Sequence, residues 1–301
     1  MIERKSRIVM GMDVGGSHVT AALVDLDDHV FLPDSQCRLD LDSQRPADYI
    51  LEDWQKVIQT CYRQYPDLER HIGMAMPGPC DYDSGVCMIK GLNKYGNLYG
   101  LNIPEALSQT LDIPDENIVM TNDAACFLQG EMAMGAARDS QSSIGVILGT
   151  GCGTARLQGG IGCDAALWQL PFKNGIAEDY LSTHWFKTRY RELGGADIGG
   201  AKDLALSYQA DPISRTIFEE FAQNLGDFLG IFVKMERADS IVLGGNIMKA
   251  GNLFFPGVKD RLASLGVNIP IHLSTLGEGA PVVGAAVAYE KKTVNHFNYQ
   301  P

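Results

Sequence analysis

The sequence predicts an α/β protein built as two compact units, and three observations carry that prediction. Its 301 residues exceed one ordinary domain of ~100–200 residues and fall short of three. Short apolar, β-branched runs alternate with stretches whose apolar residues recur at helical spacing. One plan, an apolar strand, a polar glycine turn and a second apolar strand, occurs twice about half a chain apart, which hints at a duplicated architecture.

The elements follow in order. RIVMGMD reads as a strand ending at Asp13, and HVTAALVDLDDHVFL after the glycine turn reads as two more strands of a meander. Residues 47–65 carry Ile50, Trp54, Val57, Ile58 and Cys61 at helical spacing, and 71–76 is a short strand stopped by Pro77-Gly78. A strand over 117–121 leads through Asn122-Asp123 into a helix over 124–136, and a strand over 143–148 enters the second glycine turn, 149–153. A long amphipathic helix at 212–234, a buried strand at 240–243 ending in Gly244-Gly245, and an alanine-rich helix at 281–291 complete the reading. No linker marks a boundary, and only the motif pattern places one near 117–122. Asp25, Asp27 and Asp28 read as a solvated turn.

Composition excludes several classes of function. With 45% hydrophobic and 21% charged residues the chain can bury a core and is not a disordered segment. Acids outnumber bases 37 to 25, a net charge of −12, which argues against a protein that lives on nucleic acid. No run approaches the ~20 apolar residues of a membrane span, and MIERKSRIVMGMD is too short in apolar residues for a signal peptide, so a cytoplasmic location is expected. Seven cysteines without a CxxC pair read as free thiols.

GMDVGGSHVTAALVD sets Asp13 at a strand end with two glycines in the turn. Backbone N–H groups of such a turn can face an anion while the carboxylate faces a hydrated cation, as the phosphates of a magnesium nucleotide require. A hairpin also asks for glycine on conformational grounds alone. LGTGCGTARLQ offers three alternate glycines and the Thr150 hydroxyl, and a second cradle facing the first would clamp a polyphosphate. VLGGNI would let backbone approach a flat base such as adenine, although a Gly-Gly turn often leaves a strand without any ligand. TNDAACFLQGE places Asn122 and Asp123 where a strand passes into a helix. There they either cap the helix or project a carboxylate that accepts the proton of an attacking hydroxyl. His18, next to the first turn, reads as a surface histidine of a strand.

Taken in order, MDVGGSHVTAALVD, MAMPGPC, GLNKYGNLYGLNIPEAL, TNDAACF, GVILGTGCGTA and IVLGGNI resemble the motifs of the ROK family of bacterial sugar kinases and repressors, over nearly the whole chain. The resemblance implies an actin-like (ribonuclease H-like) ATPase fold, two lobes with a cleft between them. Residues 1–119 would form the smaller N-terminal lobe, joined by a C-terminal helix at about 289–301, and 120–288 the larger lobe with the nucleotide site and a dimer surface. It implies ATP as phosphoryl donor, a hexose as acceptor and a homodimer as the assembly. Asp123 would be the catalytic base, Asn122 would bond a neighbouring sugar hydroxyl, and Gly78 and Asn93 would lie on the sugar side. Asp13, Gly15, Gly16 and Ser17 would form the first phosphate loop, with Mg²⁺ near Asp13 through water. Thr150, Gly151 and Gly153 would form the second loop, and Gly244 and Gly245 the adenosine contact. Asn246 stands where the family carries a third glycine, a change that asparagine's access to left-handed backbone tolerates.

One segment departs from the family pattern. Many members bind sugar through a glutamate and a histidine, followed by a cysteine-rich zinc loop ending in Gly-Cys-x-Glu, and this chain reads AALWQLPFKNGIAEDYLS. Gly175 and Glu178 match the end of that pattern, with Glu178 as an acceptor for a sugar hydroxyl. Ile176 replaces the last cysteine, and Gln169 and Ala166 fall at the histidine and glutamate positions. No zinc site is expected, and packing by Trp168, Leu170, Pro171 and Phe172 is expected to hold the loop instead. The sequence therefore points to an ATP-dependent, glucokinase-like sugar kinase. Two other readings remain, a non-catalytic sugar sensor and a repressor, the latter set back by only twelve residues before Asp13 for a helix-turn-helix.

Overall fold

The computed structural model describes residues 7–91 and 94–297, with the backbone alone at 293–297. Contacts divide the chain into two units, one comprising the residues up to Arg138 with Ile161–Cys163 and the chain from Glu278 onward, the other Asp139–Gly160 with Asp164–Gly277.

The first unit opens with β1 (Ile8–Val14), β2 (His18–Asp25), β3 (Val30–Phe31) and β4 (Cys37–Asp40), then α1 (Ala47–Tyr62) and β5 (Ile72–Met76). A small hairpin, β6 (Cys80–Asp81) and β7 (Val86–Cys87), precedes α2 (Ile103–Leu111), β8 (Ile118–Asn122) and α3 (Asp123–Ala133). The sheet runs β3-β2-β1-β5-β8, with β4 also on β2. β1 pairs antiparallel with β2, while β5 lies parallel to β1 and β8 parallel to β5. Parallel pairing brings three strand ends to one edge, since Asp13 lies beside Ala75, Ala75 beside Thr121 and Met76 beside Asn122. That edge is where open α/β sheets present ligand-binding side chains. Helix α1 buries the predicted stripe of Ile50, Trp54, Val57, Ile58 and Cys61 against this sheet's core.

The second unit contains β9 (Ser143–Leu148) and β10 (Cys152–Gln158), and the chain passes through β11 (Ile161–Asp164) to a hairpin of β12 (Pro171–Phe172) and β13 (Gly175–Ile176). It continues through α4 (Ala177–Leu181), α5 (Thr183–Glu192), α6 (Ala201–Ser207), α7 (Pro212–Glu236), β14 (Ser240–Gly244), α8 (Phe255–Ser264) and β15 (Ile271–Leu273). Its sheet contains the path β10-β9-β14-β15. β14 is parallel to β9, so the glycine turn after Leu148 and the Gly244-Gly245 turn leave the sheet at the same edge. Asp211 caps α7 by accepting the Ile213 and Ser214 N–H groups, and Pro212 occupies its first turn. The buried face of α7 carries Phe218, Phe221, Phe228 and Phe232, and Phe254 joins this core with its ring centroid 5.0 Å from that of Phe221.

The last helix, α9 (Gly279–Phe297), belongs to the first unit and packs on α3, β1 and β5. Four glycines make the approach possible. A Cβ on Gly11 would stand 1.8 Å from the Val282 carbonyl oxygen, one on Gly73 1.9 Å from that of Ala285, one on Gly130 2.0 Å from that of Ala280, and one on Gly284 1.7 Å from that of Cys126. Backbone therefore lies on backbone along the first turns of the helix, from Ala280 to Ala285, a closeness only glycine allows.

Several expectations are corrected. Contacts group the chain at 138/139 and from Glu278, where the sequence reading set 119/120 and about 289, since α3 packs on α9 through Gly130 and Gly284. Asp25 is buried at 8% exposure rather than solvated, and its Oδ1 accepts the Asp27 and Asp28 N–H groups to form the turn. In the loop at 165–178, Phe172 is buried against Tyr180 and Phe228 and Leu170 is partly buried. Trp168, 39% exposed on the short turn Leu167–Gln169, and Pro171, on the outer side of β12, do not hold it. Among the described residues no helix is long and apolar enough to cross a membrane.

Candidate active site

In the first unit the site is assembled on the carboxyl ends of β1, β5 and β8. Asp13 is the penultimate residue of β1. Burial pushes its carboxyl up to about 7 from an ordinary 3.8, the charge of Asp123 adds to the rise, then that of Glu278, and Arg38 pulls the other way. Arg38 and Glu278 are themselves ion-paired. Asp13 and Asp123 are therefore neighbouring carboxylates on one sheet edge.

The turn after Asp13 is a tight hairpin. Gly15 N–H donates to the His18 carbonyl at 2.9 Å, and a Cβ at Gly15 would lie 3.0 Å from that oxygen, so the hairpin itself accounts for this glycine. Gly16 and Ser17 lie exposed at its tip, and Ser17 Oγ is 3.3 Å from His18 Nδ1. Tyr95, fully buried, donates its hydroxyl to the Gly15 carbonyl at 2.5 Å and leans on Trp54. It anchors the turn from outside the motif that announced it.

The structure separates the roles of Asn122 and Asp123. Asn122 caps α3, its Oδ1 accepting the Ala125 N–H at 3.0 Å, and its Nδ2 donates to the Tyr82 hydroxyl at 3.3 Å. Tyr82 in turn donates to the Met76 carbonyl at 3.0 Å and stands 3.2 Å from where a Cβ on Gly78 would sit. Asp123 is the first residue of α3, with Oδ1 accepting the Ala124 N–H at 2.8 Å. A helix N-terminus favours a negative charge there. Asn93, the remaining expected sugar-side residue, lies outside the described residues.

The second unit holds its own set. Gly149 N–H donates to the Gly151 carbonyl, and the Gly149 carbonyl accepts both the N–H and the hydroxyl of Thr183, at 2.8 Å each, which ties the glycine turn to the start of α5. Thr150 is exposed at the tip. Glu178, on α4, accepts the Cys152 N–H through Oε2 at 2.8 Å, and a Cβ on Gly151 would meet that oxygen at 2.4 Å. Gly151 thus makes room for Glu178, and Glu178 belongs to the turn. Gly153 continues into β10 opposite Ile147. Gly244 ends β14, and Gly245 has φ +91° with a Cβ position 2.3 Å from the Leu148 carbonyl oxygen, so this glycine is needed to pass the end of β9. Ala166 takes a left-handed backbone, and Gln169 is exposed.

The residues fit a hydrated Mg²⁺ carried in on phosphates. Asp13 is one partly buried carboxylate whose raised proton affinity a cation would offset, and among the described residues no group of three or more His, Cys, Asp or Glu forms a cage of its own. Tyr82, Tyr95, Glu278 and Arg38 were missed by sequence reasoning. Only Tyr95 lay within a quoted motif, and nothing local distinguishes the others from surface residues.

Each sheet, with its strand–glycine turn–strand start, identifies the class as the actin-like (ribonuclease H-like) ATPase fold. Residues 9–164 match the sequence profile of the ROK family, and the chain belongs to that family. An N-acetylgalactosamine kinase, AgaK, of Shewanella sp. (strain ANA-3) is 25% identical over 92% of this chain and 95% of its own length. Among solved structures, a ROK hexokinase from Thermus thermophilus superposes with a TM-score of 0.82 at 21% identity, covering 96% of this chain and 99% of that one. A ROK family glucokinase from Streptomyces griseus, solved in complex with glucose and AMPPNP, gives 0.74 at 20% identity, covering 94% and 99%.

Proposed function

We propose that this chain is an ATP-dependent sugar kinase that transfers the γ-phosphate of ATP to a hydroxyl of a hexose or N-acetylhexosamine, with Asp123 as general base. The observation that carries the reading is the pair of carboxylates on one sheet edge. Asp123 at the start of α3 is close enough to raise the pKa of Asp13, and the two are suited to different tasks. Asp123 accepts the proton of the sugar hydroxyl as its oxygen bonds to the γ-phosphorus. The bond to the β–γ bridging oxygen breaks, ADP leaves, and the proton passes from Asp123 to solvent. Asn122, held by Tyr82, orients a neighbouring hydroxyl beside Gly78, and Asn93 and Glu178 are proposed as further sugar contacts. Gly16, Ser17, Thr150 and Gly151 offer backbone and hydroxyl donors to phosphates. Asp13 would hold Mg²⁺ through water, and that ion would supply charge neutralisation at the phosphate oxygens.

N-acetylhexosamines stand ahead of glucose as acceptors, because the relative aligned over most of both chains is named an N-acetylgalactosamine kinase and a second relative an N-acetyl-D-glucosamine kinase. Replacement of a charged anchor pair by Ala166 and Gln169 is consistent with an acceptor other than glucose. A homodimer is proposed as the assembly. The deciding experiment is ADP release from Mg-ATP across hexoses and N-acetylhexosamines, run beside Asp123→Asn. Sugar-dependent turnover should fall by ~10²–10⁴ in the variant. Sugar or nucleotide binding without turnover on any acceptor would replace the kinase by a sugar sensor.

A further inference from the structure

We propose that Cys80 and Cys87 form a reversible dithiol–disulfide pair, a redox modification site next to Gly78 and Asn122. The two residues are direct partners across the β6–β7 hairpin. Just outside them the Met88 N–H donates to the Pro79 carbonyl at 3.0 Å, while the N–H and carbonyl of Cys87 pair with Leu101 and Gly100. This pattern makes Cys80 and Cys87 a non-hydrogen-bonded cross-strand pair, the kind whose Cα atoms sit ~4.5 Å apart and whose side chains approach most closely. A disulfide spans Cα atoms ~4.4–6.8 Å apart, so the bond closes without displacing either strand. The Cys80 thiol donates to the Pro77 carbonyl at 3.6 Å.

Reactivity separates Cys87 from the thiols of Cys37, Cys61, Cys126 and Cys152. Cys80 beside it holds the Cys87 thiol below its ordinary value against the opposing effect of burial, while Cys80 itself is raised, by Cys87 first and then by burial. Burial instead drives Cys61 and Cys152 up to about 12 each, and raises Cys37 and Cys126 as well. Cys87 is fully buried, but Cys80 is only partly so and meets solvent first. With a hydroperoxide as oxidant, the Cys87 thiolate takes one oxygen to become a sulfenic acid, releasing water from hydrogen peroxide. The Cys80 thiol then attacks that sulfur, the S–S bond forms and the hydroxyl leaves with the Cys80 proton as a second water. Two thiols have lost two electrons and two protons in all, and a reducing thiol returns them.

The ring so closed carries Tyr82, the residue whose hydroxyl accepts from Asn122 Nδ2 and donates to the Met76 carbonyl. Oxidation therefore fastens the segment that holds Asn122 in place. The inference stands independently of which reaction the chain performs.

The test is stoichiometric hydrogen peroxide on the whole protein, then alkylation and peptide mapping. Two of the seven thiols should disappear, in a Cys80–Cys87 linked peptide about 2 Da lighter than the reduced one, and dithiothreitol should restore both. Closing so short a loop should raise the melting temperature of the oxidised protein by about 5 °C, and Cys80→Ser or Cys87→Ser should show neither the link nor the rise. A link on another pair such as Cys37–Cys61, or Cys87 driven to the sulfinic acid with Cys80 still alkylated, would overturn the proposal.

Discussion

Gly284→Ala adds one methyl group at the tightest point between α3 and α9. Its carbon would stand 1.7 Å from the Cys126 carbonyl oxygen and 2.5 Å from the carbonyl carbon, where ordinary contact begins at 3.4 Å. The obstacle is backbone within a helix, so no side-chain rotation relieves it and the two helices must part by well over an ångström. Gly130 against Ala280, and Gly11 and Gly73 against Val282 and Ala285, keep α9 from moving alone. Two effects compete. Alanine is favoured over glycine in a helix by ~1 kcal/mol, while forcing extra methylenes into a packed core costs ~1–3 kcal/mol. Against backbone the upper end applies, and the net loss is about 2 kcal/mol. At ~2–4 °C per kcal/mol for large domains, the melting temperature should fall by about 4–8 °C. Thermal melts followed by circular dichroism measure it, with Gly149→Ala as control, since a Cβ there meets nothing within 4 Å. A Gly284→Ala protein that melts at or above the parent would refute the packing argument. Because α3 begins with Asp123, turnover should fall along with stability.

Asp13→Asn should make the apoprotein more stable at pH 8 while removing Mg-ATP turnover. The native state binds the Asp13 proton more tightly than the unfolded chain. Parent stability is therefore full below about pH 4 and declines as pH rises through about 7, by up to roughly 4 kcal/mol at ~1.4 kcal/mol per unit. Urea titrations at pH 4.5 and 8 should show the variant's advantage only growing with pH, and an advantage that shrinks would contradict the burial of this carboxylate. Glu178→Gln keeps an oxygen for the Cys152 N–H and should leave stability within ~1 kcal/mol, whereas Glu178→Ala should cost ~1–3 kcal/mol. Equal melting temperatures for the two would show that this hydrogen bond contributes nothing. Tyr82→Phe should raise the sugar KM several-fold with a smaller change in kcat, because it frees Asn122 Nδ2 and leaves Asp123 in place. A fall confined to kcat would assign Tyr82 a different role.

Much of the architecture was legible because strands and helices here obey their own periodicities. The stripe of α1, the capped start of α7 and the buried strand β14 need only local sequence to be recognised. The helix at the chain end was drawn too short, as 281–291 instead of Gly279–Phe297, because its flanks lack the alanine-rich pattern that marked its centre. The loop at 165–178 was misjudged for the opposite reason: hydropathy marks Trp168, Pro171 and Phe172 alike, but Trp168, on the short turn Leu167–Gln169, and Pro171 are exposed while Phe172, in the hairpin, is buried.

By itself, the sequence determined the order of the motifs, the family they belong to and the presence of Asp13 and Asp123 at strand ends, since each is a property of short contiguous segments. Tertiary structure alone decided that parallel pairing of β1, β5 and β8 sets those two carboxylates on one edge, so that one raises the pKa of the other. It likewise decided that Gly15 and Gly245 answer to close backbone approaches, that Tyr82 and Tyr95 hold the site from distant positions, and that Cys80 faces Cys87. The physical reason is that a turn glycine, a tyrosine and a cysteine each look the same in sequence whatever lies across from them. Distance and desolvation, which give each its role, arise only when remote segments pack.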